Sequence, residues 1–164
     1  MLVICLILCA FAYIGIKIYF SVFYRFTPEY RKLREEKIFT DNFFIENVDC
    51  LDGHSFELFC AELLKSNGYN NVRVTKGSGD MGVDILAEKS GMKYAIQCKC
   101  YSSNLGNKPV QEIFAGKEFY HCDVGVVMTN RYFTAGAKKL AEATEILLWD
   151  RNVLENLIKT KAAQ

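Results

Sequence analysis

The sequence predicts a mixed α/β domain, and three features carry that prediction. Two continuous apolar runs, Asp123 to Thr129 and Ile146 to Trp149, read as buried strands. Segments with apolar residues at helical spacing lie before and between them, as parallel crossovers require. Upstream, Ser90-Gly91 joins two runs of strand-like composition and suits the turn of an antiparallel hairpin. Together these give a mixed central sheet flanked by helices.

Taken in order, the chain opens with Leu2 to Tyr24, which is almost wholly apolar apart from Lys17 and Ser21. At about 1.5 Å per residue, such a helix crosses a hydrocarbon core of about 30 Å. Tyr13, Tyr19 and Tyr24 suit the interfaces. Residues 1–24 are therefore expected to form one transmembrane helix. Neither a basic start nor a small-residue cleavage site marks a removable signal. Arg25, Arg31, Lys32, Arg34 and Lys37 follow the span, and no charged side chain precedes it. That asymmetry places the C-terminal part in the cytoplasm. The seven cysteines are odd in number and scattered, which fits a reducing compartment. Cys98, Cys100, His121 and Cys122 lack the paired spacing of a zinc site.

Residues 25–47 read as a charged juxtamembrane linker and 48–160 as the globular domain. Asp52 or Ser55 caps a helix that runs to about Asn67, with Gly68 as its stop. Phe56, Phe59, Cys60, Leu63 and Leu64 recur on one face of it, and Glu57 stands beside that face. Val72 to Thr75 is a short strand. A glycine-rich loop from Gly77 then enters a strand at Val83 to Ala87, paired with Met92 to Cys100. Pro109 opens a helix to Tyr120 with Val110, Ile113, Phe114 and Phe119 as core positions. Thr134 caps another to about Ala143, and Asp150 to Lys159 closes the domain.

Charge is nearly balanced, with 20 Lys and Arg against 19 Asp and Glu. Bulk charge therefore names no partner, and any nucleic-acid surface must be local. Lys76, Lys108 and Lys117 fit a phosphate track or an ordinary solvated surface equally well. His54, near a helix start, and Asp80, in the loop, read as structural and exposed respectively. In the hairpin, alternation puts Gln97 and Lys99 on one face, with Asp84 beside them at the open end. Charges set among apolar neighbours need a partner. Asp84 and Lys99 fit either an ion pair at a sheet end or a cation site.

These residues carry a resemblance over about Leu51 to Leu157. Gly53-His54-Ser55-Phe56-Glu57, Leu63-Leu64, Gly68-Tyr69, Gly77-Ser78-Gly79-Asp80-Met81-Gly82-Val83-Asp84, Gln97-Cys98-Lys99-Cys100-Tyr101, Val110-Gln111-Glu112 and Phe133-Thr134 occur in order. The ordered set resembles the Mrr-type restriction endonuclease catalytic domain, of the PD-(D/E)XK nuclease fold. The N-terminal span lies outside it. The resemblance implies a restriction-endonuclease-like sheet and a DNA endonuclease. Asp84 would be the metal carboxylate. Gln97, where many relatives carry Asp or Glu, would give its amide oxygen, and Cys98 its main-chain carbonyl. Lys99 would position or deprotonate the attacking water and steady the phosphate. Glu57 would complete the site through a water or Lys99, and Gln111 would orient phosphate or water.

The chemistry is sensible for Mg²⁺, which takes oxygen ligands, usually one or two carboxylates with waters. A divalent cation lowers the pKa of bound water from about 15.7 toward about 7 to 9 and polarises a phosphoryl oxygen. One carboxylate beside a neutral amide makes a modest trap, and Gln97→Glu is expected to keep metal binding. The sequence thus predicts a membrane-tethered, Mg²⁺-dependent endodeoxyribonuclease with DNA as partner, no organic cofactor, and a homodimer for double-strand cutting. The alternative is a catalytically weak nucleic-acid-binding module or adaptor at the membrane.

Overall fold

A computed structural model describes residues 45–75, 79 and 81–162. The expected transmembrane span and nearly all of the linker lie outside these residues, as do Lys76, Gly77, Ser78 and Asp80. No helix among the described residues is long and apolar enough to cross a membrane.

The elements are α1 (Ile45–Val48), α2 (Gly53–Ser66), β1 (Asn70–Val74), β2 (Ile85–Lys89), β3 (Met92–Lys99), α3 (Lys108–Phe119), β4 (Val124–Thr129), α4 (Ala135–Thr144), β5 (Ile146–Trp149) and α5 (Arg151–Ala162). Local chemistry sets most of the boundaries. The Asp52 carboxylate caps α2 by accepting from the Ser55 amide at 2.8 Å. Past its other end, Gly68 turns to a φ of +78°. Ser90 and Gly91 both have positive φ, 53° and 80°, as the two-residue turn between β2 and β3 requires. Thr134 caps α4 through the Ala137 amide.

The five strands lie in the order β1-β2-β3-β4-β5. The β1–β2 and β2–β3 pairings are antiparallel; β3–β4 and β4–β5 are parallel. β3 is therefore the strand where the hairpin half meets the crossover half. Its successive residues show which helix covers which face. Cys98 bonds the thiol of Cys60 on α2, while the Gln97 amide bonds Glu112 on α3. Neighbouring side chains on a strand point to opposite faces, so α2 and α3 cover opposite sides of the sheet.

The core is built largely as the periodicity predicts. Phe56, Phe59, Cys60, Leu63 and Leu64 of α2 are buried, as are Val83, Ile85, Ala95 and Ile96. All of β4 is buried apart from its half-exposed first residue. Two core expectations on α3 fail. Phe114 is 43% exposed and Phe119 56%. The buried face of α3 is Val110, Ile113 and Gly116. The cause is Gly116: a Cβ there would stand 2.5 Å from Val83 Cγ2 and 2.7 Å from the Met81 carbonyl. The helix seats its glycine against the loop, and that rotates the two phenylalanines outward. β5, expected to be buried, is an edge strand with Leu147 44% exposed. β1 begins two residues earlier than the sequence predicts, and the hairpin's first strand begins at Ile85 rather than Val83.

One polar cluster locks the segments after β3 and β4. Asn130, 1% exposed, donates to Asp49 Oδ1 at 2.8 Å and to the Tyr101 carbonyl at 3.1 Å, and accepts from the Tyr101 amide at 2.9 Å. Arg151 adds a 2.9 Å bond to Asp49 Oδ1, and Arg131 lies 3.6 Å from Asp49 Oδ2. Burial pulls the Asp49 carboxyl upward, but the Asn130 and Arg151 bonds and both guanidinium charges outweigh it and hold the pKa below the usual range. Asp49→Ala strands a buried amide and a half-buried guanidinium, and is expected to cost about 2 kcal/mol by denaturant unfolding. Because the folded pKa is depressed, Asp49's contribution is complete above the ordinary carboxylate pKa. The gap between wild type and Asp49→Asn is expected to close only as the pH falls below about 4.

Candidate active site

The end of the β2–β3 hairpin opposite its turn brings together three of the residues the sequence singles out. Ile85 pairs with Ile96, so Asp84 enters β2 level with Gln97. The Asp84 amide donates to the Ile96 carbonyl at 2.9 Å, and its carbonyl accepts from the Thr75 amide at 2.9 Å. Its Oδ2 accepts from the Cys98 amide at 2.7 Å. The carboxylate is thus fixed against the β3 backbone by main chain on both sides.

Gln97 is fully buried, and its Nε2 donates to Glu112 Oε2 at 2.8 Å. Its Oε1 is buried without a hydrogen-bond partner among the described residues. A buried carbonyl left in that state costs roughly 1–3 kcal/mol. Lys99 ends the strand half-buried, and its carbonyl accepts from Thr129 Oγ1 of β4 at 2.7 Å. Among the described residues Lys99 forms no ion pair, so the reading of Asp84 and Lys99 as a closed salt bridge does not describe this structure.

Glu57 approaches from α2. Its Oε2 meets His54 Nδ1 at 3.3 Å. Burial pushes the Cys98 thiol well above its ordinary range, the bond to Cys60 adds to this, and the Asp84 and Glu57 carboxylates push the same way. Both carboxylates therefore lie near Cys98. Gln111 is exposed on α3. The side chain that reaches the site from this helix is its neighbour Glu112, which sequence reasoning missed. Its only signal was indirect: Lys108, Glu112 and Gly116 recur at four-residue intervals, one stripe of a helix. Lys108 Nζ lies 3.6 Å from Glu112 Oε1, and Lys117 lies 3.3 Å from Glu118.

The donor set is one carboxylate, one buried amide oxygen and main-chain carbonyls. No three His, Cys, Asp or Glu side chains among the described residues converge as a metal cage. Oxygen donors of this kind suit a hard, partly hydrated cation rather than zinc. A cavity of about 520 Å³, lined by Arg73, Glu88, Lys93, Tyr94 and Tyr120 among others, holds none of these side chains.

Gly82 joins the loop to both halves. Its φ is +78°, and a Cβ there would stand 3.0 Å from Gln97 Nε2 and 3.0 Å from Glu112 Cβ. Gly82→Ala is expected to cost about 1–2 kcal/mol from backbone strain alone, and to lower the melting temperature by several degrees. Gly53→Ala, with nothing within 4 Å of the added methyl and no positive φ, is the control expected not to lower it and to raise it slightly.

Two solved structures share the fold. One, described as a protein of unknown function, AF1548, is 24% identical with a TM-score of 0.53, covering 62% of each chain. The other is the DNA modification-dependent restriction endonuclease AspBHI, 18% identical with a TM-score of 0.55 over 79% of this chain. This chain spans 62% of the first and 38% of the second. At these identities the likeness speaks for the fold alone. No curated protein matches the chain. The family model described as restriction endonuclease, the Mrr-type catalytic domain, matches residues 48–158, more than half of the chain and all of the site just described, and the chain belongs to that family.

Proposed function

We propose that the chain is a divalent-metal-dependent DNA endonuclease tethered to a membrane by residues 1–24, with its nuclease domain on the cytoplasmic side. The observation that carries the reading is the Gln97 Oε1, buried and without a partner among the described residues, on the strand whose Cys98 amide fixes the Asp84 carboxylate. A buried acceptor in this state calls for a partner, and a cation would supply one. Membership in a restriction endonuclease family supplies the substrate class.

Asp84, the Gln97 amide oxygen and the Cys98 main-chain carbonyl would hold Mg²⁺. When bound, the cation would polarise a phosphoryl oxygen and offset the charge that makes a phosphodiester resist attack. Everything else falls to the chain's own side chains. Lys99 has no carboxylate partner among the described residues, and its ammonium would orient the attacking water and steady charge building on the phosphate. Glu57, near Cys98, would act through Lys99 or an intervening water. Gln111, exposed on α3, would meet phosphate or water from outside. Thr129 and Asp84 hold the β3 backbone on either side, so Lys99 and Gln97 need little reorganisation. Cleavage of both strands needs two such sites, and a second copy of the chain would provide the other.

The tether rests on the apolar run Leu2 to Tyr24 and the basic residues that follow it. The test uses the full chain in detergent with supercoiled plasmid. Nicking is expected with Mg²⁺ and to cease with a chelator. Asp84→Ala is expected to lose measurable Mg²⁺ binding by calorimetry. Lys99→Ala is expected to bind Mg²⁺ but to nick about 10² to 10³ times more slowly. Salt-sensitive DNA binding without nicking in wild type would replace the enzyme with a binding module.

A further inference from the structure

We propose that Glu112 is the positioning residue of the site: it turns the Gln97 amide so that an oxygen, and not an NH₂ group, is offered to the cation. The inference deepens the metal-dependent reading above and rests on it.

An amide side chain is ambiguous. Its two ends have nearly the same shape, one donating and the other accepting, and only the surrounding hydrogen bonds decide which end faces where. Gln97 stands on the middle strand, fully buried, and the side chain that bonds it is Glu112. An ionised carboxylate only accepts. It must therefore take Nε2, at the observed 2.8 Å, and Oε1 is the end left over. In the reverse orientation Oε1 would face a carboxylate oxygen and Nε2 would be presented to a cation; both contacts are repulsive. Glu112 excludes that orientation twice.

The surroundings hold Glu112 to the task. At Gly82 a Cβ would stand only 3.0 Å from both its Cβ and Gln97 Nε2, so the bare glycine lets the loop close over the pair. One turn on, Gly116 seats the same face of α3 on Met81 and Val83. Lys108 lies 3.6 Å from Oε1, the oxygen that Gln97 does not use. The pair is also not what burial alone would select. An apolar side chain at position 97 would leave no orphaned carbonyl, whereas this arrangement keeps a satisfied nitrogen and an unsatisfied oxygen in one group.

The consequence for the sequence-based expectation about Gln97→Glu is specific. A carboxylate at 97 would meet the Glu112 carboxylate, so this substitution alone is not neutral. Combined with Glu112→Gln, the bond can form in the opposite sense, with an amide on the helix donating to a carboxylate on the strand.

The test has two arms on the full chain, Glu112→Ala and Glu112→Gln against wild type. In metal-free protein, the Gln97 side-chain amide proton that faces Glu112 is followed by NMR. It is expected at low field in wild type, largely retained in Glu112→Gln, which still offers an acceptor, and shifted upfield in Glu112→Ala. In calorimetry with Mg²⁺ alone, affinity is expected to fall about tenfold in Glu112→Ala, with Glu112→Gln in between. The melting temperature of Gln97→Glu is expected to rise when Glu112→Gln is added. An amide signal indifferent to Glu112, or equal Mg²⁺ affinity in wild type and Glu112→Ala, overturns the proposal. So does a Glu112→Gln variant as weak as Glu112→Ala, which makes the carboxylate a ligand or a charge rather than a positioner. Wild type that binds no Mg²⁺ fails the metal-dependent reading itself, and the amide arm then still decides whether Glu112 orients Gln97.

Discussion

Three consecutive residues of β3 are each gripped by a side chain from a different element. Glu112 of α3 takes the Gln97 amide, Asp84 before β2 takes the Cys98 N–H, and Thr129 of β4 takes the Lys99 carbonyl. Everything at the site follows from this. The strand is paired on both edges, and Gln97 at its end is fully buried, while Lys99 and Asp84 keep partial exposure. Each must be satisfied by something the fold brings, and the fold brings partners from the hairpin half and the crossover half at once. The place where antiparallel pairing gives way to parallel pairing is therefore also where three side-chain bonds meet one strand. A ladder of backbone bonds alone would fix the strand but not the rotamers at its end; the three side-chain grips fix both.

Two groups of charges stand near the ends of the parallel strands, and they are built on opposite principles. Around Asp49, both carboxylate oxygens are engaged by Arg151, Asn130 and Arg131. Donors and acceptors there match, and the cluster ties Tyr101, Asn130 and the start of α5 together with no group left over for a ligand. At the hairpin's open end the matching is incomplete. Among the described residues, Gln97 Oε1 has no partner, and Lys99 has no carboxylate within ion-pair distance. An acceptor and a cation that could have been satisfied by each other's neighbours are instead held apart by backbone-level contacts. Charge clusters that stabilise and charge clusters that act differ in this respect, and the same domain shows one of each.

The sequence was most readable where one rule acted alone. Ser90-Gly91 made a two-residue turn, Asp52 and Thr134 capped their helices, and the apolar spacing of α2 gave its core face. Asp84, Gln97 and Lys99 were legible as a group because strand alternation and hairpin register are local. Legibility failed where a distant contact overruled spacing. Phe114 and Phe119 looked like core, but the core face of α3 is set by how closely Gly116 lets the loop approach, which no helical period contains. The same rotation brings Glu112 to the sheet and leaves Gln111 in solvent. Asp49 was unreadable for another reason: its partners Asn130, Arg131 and Arg151 lie some 80 to 100 residues away, and nothing in their spacing announces them.

A neutral amide at position 97 is easiest to understand as the result of where the negative charge sits. Two carboxylates in contact beneath α3, shielded from water, would repel strongly in the absence of a cation and would have to share a proton. With glutamine on the strand and glutamate on the helix, only one charge lies at the contact, and it lies on the half-exposed member. In the proposed site the strand would keep an oxygen to offer a hard cation, and without one the pair avoids a buried like-charge contact. The helix charge is not lost to the site; it is placed behind the amide, where it polarises the N–H and so makes the opposite oxygen a better donor. The departure from a strand carboxylate is thus a redistribution of the same charge across two elements, made workable by Gly82, whose missing side chain lets loop, strand and helix meet at one point.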